Sequence, residues 1–295
     1  MTESLSFDIA ALHAAYAAGL SPSDVIAEAY RRIAAAEDPA IFITPRGEGE
    51  VAAEARALPP FDPAAYPLWG VPFAVKDNID LGGLPTTAAC PAYAYVPERD
   101  AFVVARLRAA GAIPVGKTNL DQFATGLVGV RSPYGVPRNA IDPAIVPGGS
   151  SSGSAVAVAR GIVSFALGTD TAGSGRVPAA LNNIVGLKPS LGALSASGVV
   201  PACRTLDTIS VFGLTVPDAW AVFRAACAFD SADAYSRALP APPLGAPPPV
   251  VAVAVPDAAT REFFGDAAQA ASFDAALAQL SALGARIVEI DFAPF

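Results

Sequence analysis

Residues 147–178 open as Pro147-Gly148-Gly149-Ser150-Ser151-Ser152-Gly153-Ser154, run on through Ala155-Val156-Ala157-Val158-Ala159, and close as Gly168-Thr169-Asp170-Thr171-Ala172-Gly173-Ser174-Gly175-Arg176-Val177-Pro178. The small apolar run after the Gly/Ser loop predicts a helix continuing through Ala155–Arg160, and Val163–Leu167 predicts a strand. A loop, a helix, a strand and a second glycine-rich turn in that order is the texture of an α/β fold.

The same alternation extends both ways. Upstream lie strands at Val71–Val75 and Ile113–Val115, separated by a helix at Ala101–Ala110 that Gly111 closes. Downstream lie strands at Ile184–Leu187 and Ser210–Leu214 and a helix at Asp218–Ala228. Before them, helices over Phe7–Leu20, Ser21–Ala36 and Glu48–Leu58, with a short strand at Ile41–Thr44, form an N-terminal helical layer over residues 1–60. Leu239 to Pro249 is proline-rich, a stiff internal connection. Beyond it come a strand (Val250–Val255), a helix (Phe273–Leu283) and a strand (Ile287–Ile290). No closing helix follows, so the expectation is a single domain over residues 1–295 that is incomplete at its C-terminal end.

Composition narrows the function. Of 295 residues 53% are hydrophobic and 16% charged, and the mean hydropathy is +0.44. No apolar run approaches the roughly 20 residues that cross a bilayer, so the apolar content is assigned to core. A net charge of −8 disfavours a nucleic-acid binder. The three cysteines (Cys90, Cys203, Cys227) form no CxxC, which fits a reducing, cytoplasmic setting. There is one histidine, His13, in an amphipathic stretch, so a histidine-rich metal site is excluded and acyl chemistry needs another base.

The Gly/Ser loop alone admits a flexible linker, an anion-binding nest or a cluster of catalytic hydroxyls. A nucleotide-binding loop needs a lysine after its last glycine, where Ser154 stands. The turn around Ser174 can aim several backbone N–H groups at one point, as an oxyanion hole requires, or can be a structural turn with a capping serine. Asp170 is placed to orient that turn or to pair with Arg176. Arginine cannot serve as a base, whereas burial lowers a lysine. Lys76, Lys117 and Lys188 each follow a short strand, so this pattern leaves the choice among them open.

Five segments together resemble the amidase signature family of serine hydrolases. They are Gly70-Val71-Pro72-Phe73-Ala74-Val75-Lys76-Asp77, Gly116-Lys117-Thr118-Asn119, Pro147 to Ser151, Gly168 to Pro178, and Gly186-Leu187-Lys188-Pro189-Ser190. The resemblance implies a mixed twisted β-sheet flanked by helices on both faces. It also implies a Ser–Ser–Lys triad: Ser174 as nucleophile, Ser150 as the bridging serine held through a cis peptide bond, and Lys76 as base. Backbone N–H groups of Thr171, Ala172, Gly173 and Ser174 would form the oxyanion hole, and Gly126 would contact substrate. Lys117 and Lys188 match structural positions, and neither a metal nor an organic cofactor is implied.

Within the family the text around Leu84–Pro91, Asn119–Gly129 and Thr171–Ala179 is most similar to the allophanate-hydrolysing subgroup. Ala172, Gly175 and Ser152 depart from the commonest family pattern and fit this subgroup. The implied reaction is hydrolysis of allophanate to ammonia and carbon dioxide in urea degradation. The expected partners are a small-molecule amide, a functional link to a biotin-dependent urea carboxylase, and a second copy in a homodimer, with no nucleic acid and no membrane. Other implied activities are a general amidase or the A subunit of a tRNA-dependent amidotransferase, and an inactive fragment is the non-enzymatic alternative. The subgroup's substrate-carboxylate-binding Tyr and Arg are expected beyond residue 295.

Overall fold

A computed structural model describes residues 5–246, 248 and 250–294. Positions 247 and 249 of the proline-rich stretch lie outside them, as do residues 1–4 and 295. The chain divides into two compact units, at Pro242/Pro243. The expectation was a single domain over residues 1–295; the C-terminal βαβ segment clusters by itself.

The first unit is built on a six-stranded mixed sheet, β1 (Phe42–Pro45), β2 (Pro72–Lys76), β3 (Ile113–Thr118), β4 (Phe165–Asp170), β5 (Val185–Leu187) and β6 (Thr208–Gly213), in the order β1-β3-β2-β4-β6-β5. The central strands β3, β2 and β4 are parallel, and β1, β6 and β5 add antiparallel pairings. Strands β2, β3, β4 and β6 are buried along their whole length, so their sequences are continuous apolar or small runs rather than alternating ones.

Helices cover both faces. Phe73, Val75, Phe165, Leu167 and Val211 join a core with α4 (Phe102–Ala109) and α7 (Val216–Ala226). The alternate positions Ala74, Ala166 and Phe212 join a second core with α2 (Pro22–Ala35), α3 (Glu48–Arg56) and α5 (Ser152–Ala159). The rings of Phe73 and Phe165 stack at 4.9 Å on the first face. Helix α1 (Ile9–Ala17) starts at the Asp8 cap and packs Leu12 and Tyr16 with Trp69, while the Tyr16 hydroxyl donates to the Gly70 carbonyl at 2.7 Å. A short α6 (Arg176–Leu181) follows the turn at Ser174.

This topology creates a switch point. The crossover from β2 to β3 carries α4 on one face, and the crossover from β3 to β4 carries α5 on the other. Loops at the carboxyl ends of β2 and β4 are therefore splayed apart, which is where open α/β sheets place ligands.

The second unit pairs β7 (Ala252–Pro256) with β8 (Arg286–Ile290) in parallel, joined by α8 (Ala267–Ala282). Helix α8 begins well ahead of the Phe273 start that apolar periodicity predicts, because the Asp266 carboxylate caps Gln269 N–H at 2.9 Å.

Candidate active site

Strand alternation decides where Lys76 points. Val75 belongs to the α4/α7 face, so the next residue turns to the α5 face, directly toward the loop that starts that helix. The Lys76 amine is completely buried and lies 2.7 Å from the Ser150 hydroxyl and 2.7 Å from that of Thr169. Desolvation lowers its pKa to about 7, against a weaker upward pull from Asp121, Asp170 and Asp207.

The Gly/Ser loop is pinned rather than flexible. Its Gly149–Ser150 peptide is cis. Gly149 N–H donates to the Leu127 carbonyl at 2.8 Å, and the Ser150 carbonyl accepts from Asp121 N–H at 3.0 Å. A β-carbon on Gly149 would collide with the Asp121 carboxylate and the backbone of Gly129, so glycine is the residue that fits. Asp121 itself accepts from Gly129 N–H at 3.0 Å and Arg131 N–H at 2.7 Å.

The serines divide the work. Ser151 bonds the Thr169 backbone through its hydroxyl, and Ser154 donates to the Leu167 carbonyl at 2.9 Å. Both fasten the start of α5 to β4. Ser150 alone faces the lysine amine.

The turn after β4 is organised by Asp170. Its carboxylate accepts from Gly173 N–H at 2.8 Å, Gly175 N–H at 3.0 Å and Arg176 N–H at 3.2 Å, and pairs with the Arg176 guanidinium at 2.9 Å. These donors hold the Asp170 carboxyl below the usual aspartate range despite its burial. Both roles weighed for Asp170 are thus present. One expectation needs correction: the Gly173 N–H is spent on Asp170, so it is not open to an oxyanion here. Among the described residues the N–H groups of Thr171, Ala172 and Ser174 make no internal hydrogen bond.

Ser174 is 4% exposed, and its hydroxyl donates to the Gly126 carbonyl at 3.4 Å. It makes no hydrogen bond to Ser150 in this structure, although Ser151 N–H donates to the Ser174 carbonyl at 3.3 Å and ties the two loops together. Lys76 with Ser150, and Ser174 with Gly126, are therefore two contacting pairs on adjoining loops.

The other lysines are elsewhere. Lys117 is buried 3.2 Å from Asp77 and donates to Thr86 at 2.9 Å; burial lowers its pKa. Lys188 is exposed and donates to the Pro189 carbonyl at 3.0 Å. His13 lies in α1, its ring edge-on to Phe61.

Three residues beyond the expected set enter the site. Thr169 holds the lysine amine. Asn78 donates to the Val200 carbonyl at 3.2 Å and approaches Thr169 at 3.5 Å. Asp207 accepts from the Thr171 hydroxyl at 2.5 Å. Thr169 had a signal, a hydroxyl directly before Asp170 at a strand end. Asp207 had none, since only the fold brings it to residue 171.

Comparison with known proteins bears on the family and the fold. The amidase family model matches residues 24–295. The chain is 57% identical over 229 residues to the urea amidolyase of Saccharomyces cerevisiae, covering 77% of this chain and 12% of that protein. It is 47% identical over 231 residues to the A subunit of the glutamyl-tRNA(Gln) amidotransferase of Symbiobacterium thermophilum, covering 76% of this chain and 46% of the relative. The structure of Kluyveromyces lactis allophanate hydrolase superposes with a TM-score of 0.87 at 45% identity over 97% of this chain and 47% of that one. The chain thus spans less than half the length of each of these proteins.

Proposed function

The chain belongs to the amidase family, and from that premise we propose that it hydrolyses a linear amide C–N bond, with allophanate as substrate. The observation that carries the reading is the fully buried Lys76 amine, 2.7 Å from Ser150 and depressed to about 7. Such an amine is substantially neutral at physiological pH and has a lone pair to accept a proton.

In the reaction Ser174 turns its hydroxyl from Gly126 toward Ser150 and attacks the terminal amide carbonyl. Its proton passes to Ser150 as the Ser150 proton passes to Lys76. The tetrahedral oxyanion takes hydrogen bonds from the free N–H groups of the Thr171–Ser174 turn. The Gly126 carbonyl, released by Ser174, accepts from the substrate NH2. Lysine returns the proton through Ser150 to the leaving nitrogen, and ammonia departs. Water, deprotonated by the same relay, then cleaves the acyl-enzyme. The product, a carbamate carrying a second carboxylate, loses carbon dioxide.

Allophanate is favoured over other amides because identity to the urea amidolyase (57%) exceeds that to the amidotransferase relative (47%) over similar spans. That likeness also supports a functional link to a biotin-dependent urea carboxylase, which would supply the substrate. Three free cysteines fit a cytoplasmic setting, and no helix among the described residues is long and apolar enough to cross a membrane. A homodimer is the proposed assembly, to be read by light scattering. Ammonia release measured side by side on allophanate, biuret, glutamine and simple amides tests the substrate. Preference for allophanate is expected, and equal or better turnover of glutamine or simple amides would overturn the assignment.

A further inference from the structure

The turn after β4 is braced at two places. Asp170 takes the N–H groups of Gly173, Gly175 and Arg176, all in or beyond its second half. Thr171, the first residue of the turn, receives none of these bonds, and strand register supplies its partner instead. β4 and β6 pair antiparallel with Asp170 opposite Thr208, so Thr171 and Asp207 come opposite each other one step past the end of the ladder. The Thr171 hydroxyl donates to the Asp207 carboxylate at 2.5 Å. Outside the strand ladder this is the one hydrogen bond that Thr171 makes among the described residues.

Asp207 is itself held from the other side. Its carboxylate also accepts from Ala202 N–H at 2.9 Å and Cys203 N–H at 3.0 Å, and its own N–H donates to the Cys203 carbonyl at 2.8 Å. Residues 201–206 are exposed, whereas Asp207 is buried directly before β6. An exposed loop therefore closes around one carboxylate that faces inward and grips the turn. The N–H of Thr171 is among those of the turn that make no internal hydrogen bond. The direction in which that donor points follows the backbone of residue 171, which the bond to Asp207 restrains.

We propose that Asp207 is a positioning residue for amide hydrolysis: through the Thr171 hydroxyl it aims the first N–H of the oxyanion turn. The proposal rests on the reading of Ser174 as nucleophile. Asp207 touches no reacting atom, and its effect belongs to the step in which the oxyanion forms.

The test is the rate at which a fluorophosphonate labels Ser174 at pH 9. Asp207, with Asp121 and Asp170, also pulls the Lys76 amine upward, so rates are compared above the lysine's value of about 7, where that pull no longer limits the base. Thr171→Val removes the hydroxyl with little change of shape and leaves the Asp207 charge in place. It should label roughly tenfold more slowly than the wild type, a fraction of what outright loss of an oxyanion donor costs, with an unmoved pH midpoint. Thr171→Ser keeps the hydroxyl and should label within about twofold of the wild type. In an Asp207→Ala background the further change Thr171→Val should cost less than about twofold, because the contact is already gone. Wild-type labelling by Thr171→Val, a Thr171→Ser as slow as Thr171→Val, or an equal loss in both backgrounds would overturn the proposal. Failure of the wild type to label at all would instead count against Ser174 as nucleophile. Amide hydrogen exchange then decides the Asp207 proposal on its own. Exchange at the Gly173, Gly175 and Arg176 N–H groups that is roughly tenfold faster in Thr171→Val than in the wild type supports it, and equal exchange refutes it.

Discussion

The amine of Lys76 and the hydroxyl of Ser150 lie 2.7 Å apart, and neither residue has any surface exposed to solvent. Burying an ammonium without a carboxylate in contact is costly, so the environment selects the neutral amine. The hydroxyls of Ser150 and Thr169 are its hydrogen-bond partners, and Asp121, Asp170 and Asp207 act on it only at longer range. This site trades stability for a usable base.

That trade has a measurable sign. The folded-state pKa is about 7 and the ordinary value 10.5. Between them the unfolded chain holds a proton that the folded chain has released, so raising the pH favours folding. The stability of the wild type should therefore gain on that of Lys76→Met between pH 7 and 10.5, by a few kcal/mol in total. Denaturant melts of both proteins at pH 7 and 9.5 check this. A stability difference that stays constant across the window would contradict a depressed lysine.

Ser174→Ala should retain the fold, since the hydroxyl makes only a 3.4 Å bond to Gly126. Turnover should fall by about 10^4-fold or more, the scale seen when a nucleophile is removed. Mass spectrometry of fluorophosphonate-treated protein should show the adduct on the wild type and none on the variant. An adduct of equal yield on Ser174→Ala would assign the nucleophile elsewhere.

Asp170 and Arg176 form an ion pair but should differ sharply in importance. The Arg176 side chain is 55% exposed, so Arg176→Ala should change stability by less than about 1 kcal/mol. Asp170 also fixes three backbone N–H groups, and an asparagine there has only one acceptor oxygen to offer. Asp170→Asn should lower kcat about a hundredfold with little change in KM, as expected for a misaligned oxyanion turn. Steady-state kinetics of the two variants decides, and equal losses would mean that the ion pair rather than the turn geometry matters.

Much of this was legible beforehand, and particular residues show why. The strands around Lys76 and Asp170 are continuous buried runs flanked by glycine turns, so their existence and order follow from local pattern. Lysine is scarce in this chain, which made Lys76, Lys117 and Lys188 conspicuous. What separates them is which sheet face each strand end addresses, a property of the pairing between β2 and its neighbours. Asp207 meets Thr171 across 36 residues, and no local spacing encodes that contact. The engagement of Gly173 N–H depends on one carboxylate's orientation, finer than any motif describes. The proline-rich composition of residues 239–249 marks a connection near the place where the two units divide, at Pro242/Pro243.

The most direct test of a neutral lysine relaying through Ser150 is the rate at which Ser174 reacts with a fluorophosphonate between pH 5 and 9. The rate should climb along a single titration with a midpoint near 7, the value of the buried amine, level off above it, and collapse at every pH in Lys76→Met. A wild-type rate that is level across this range would contradict Lys76 as the base.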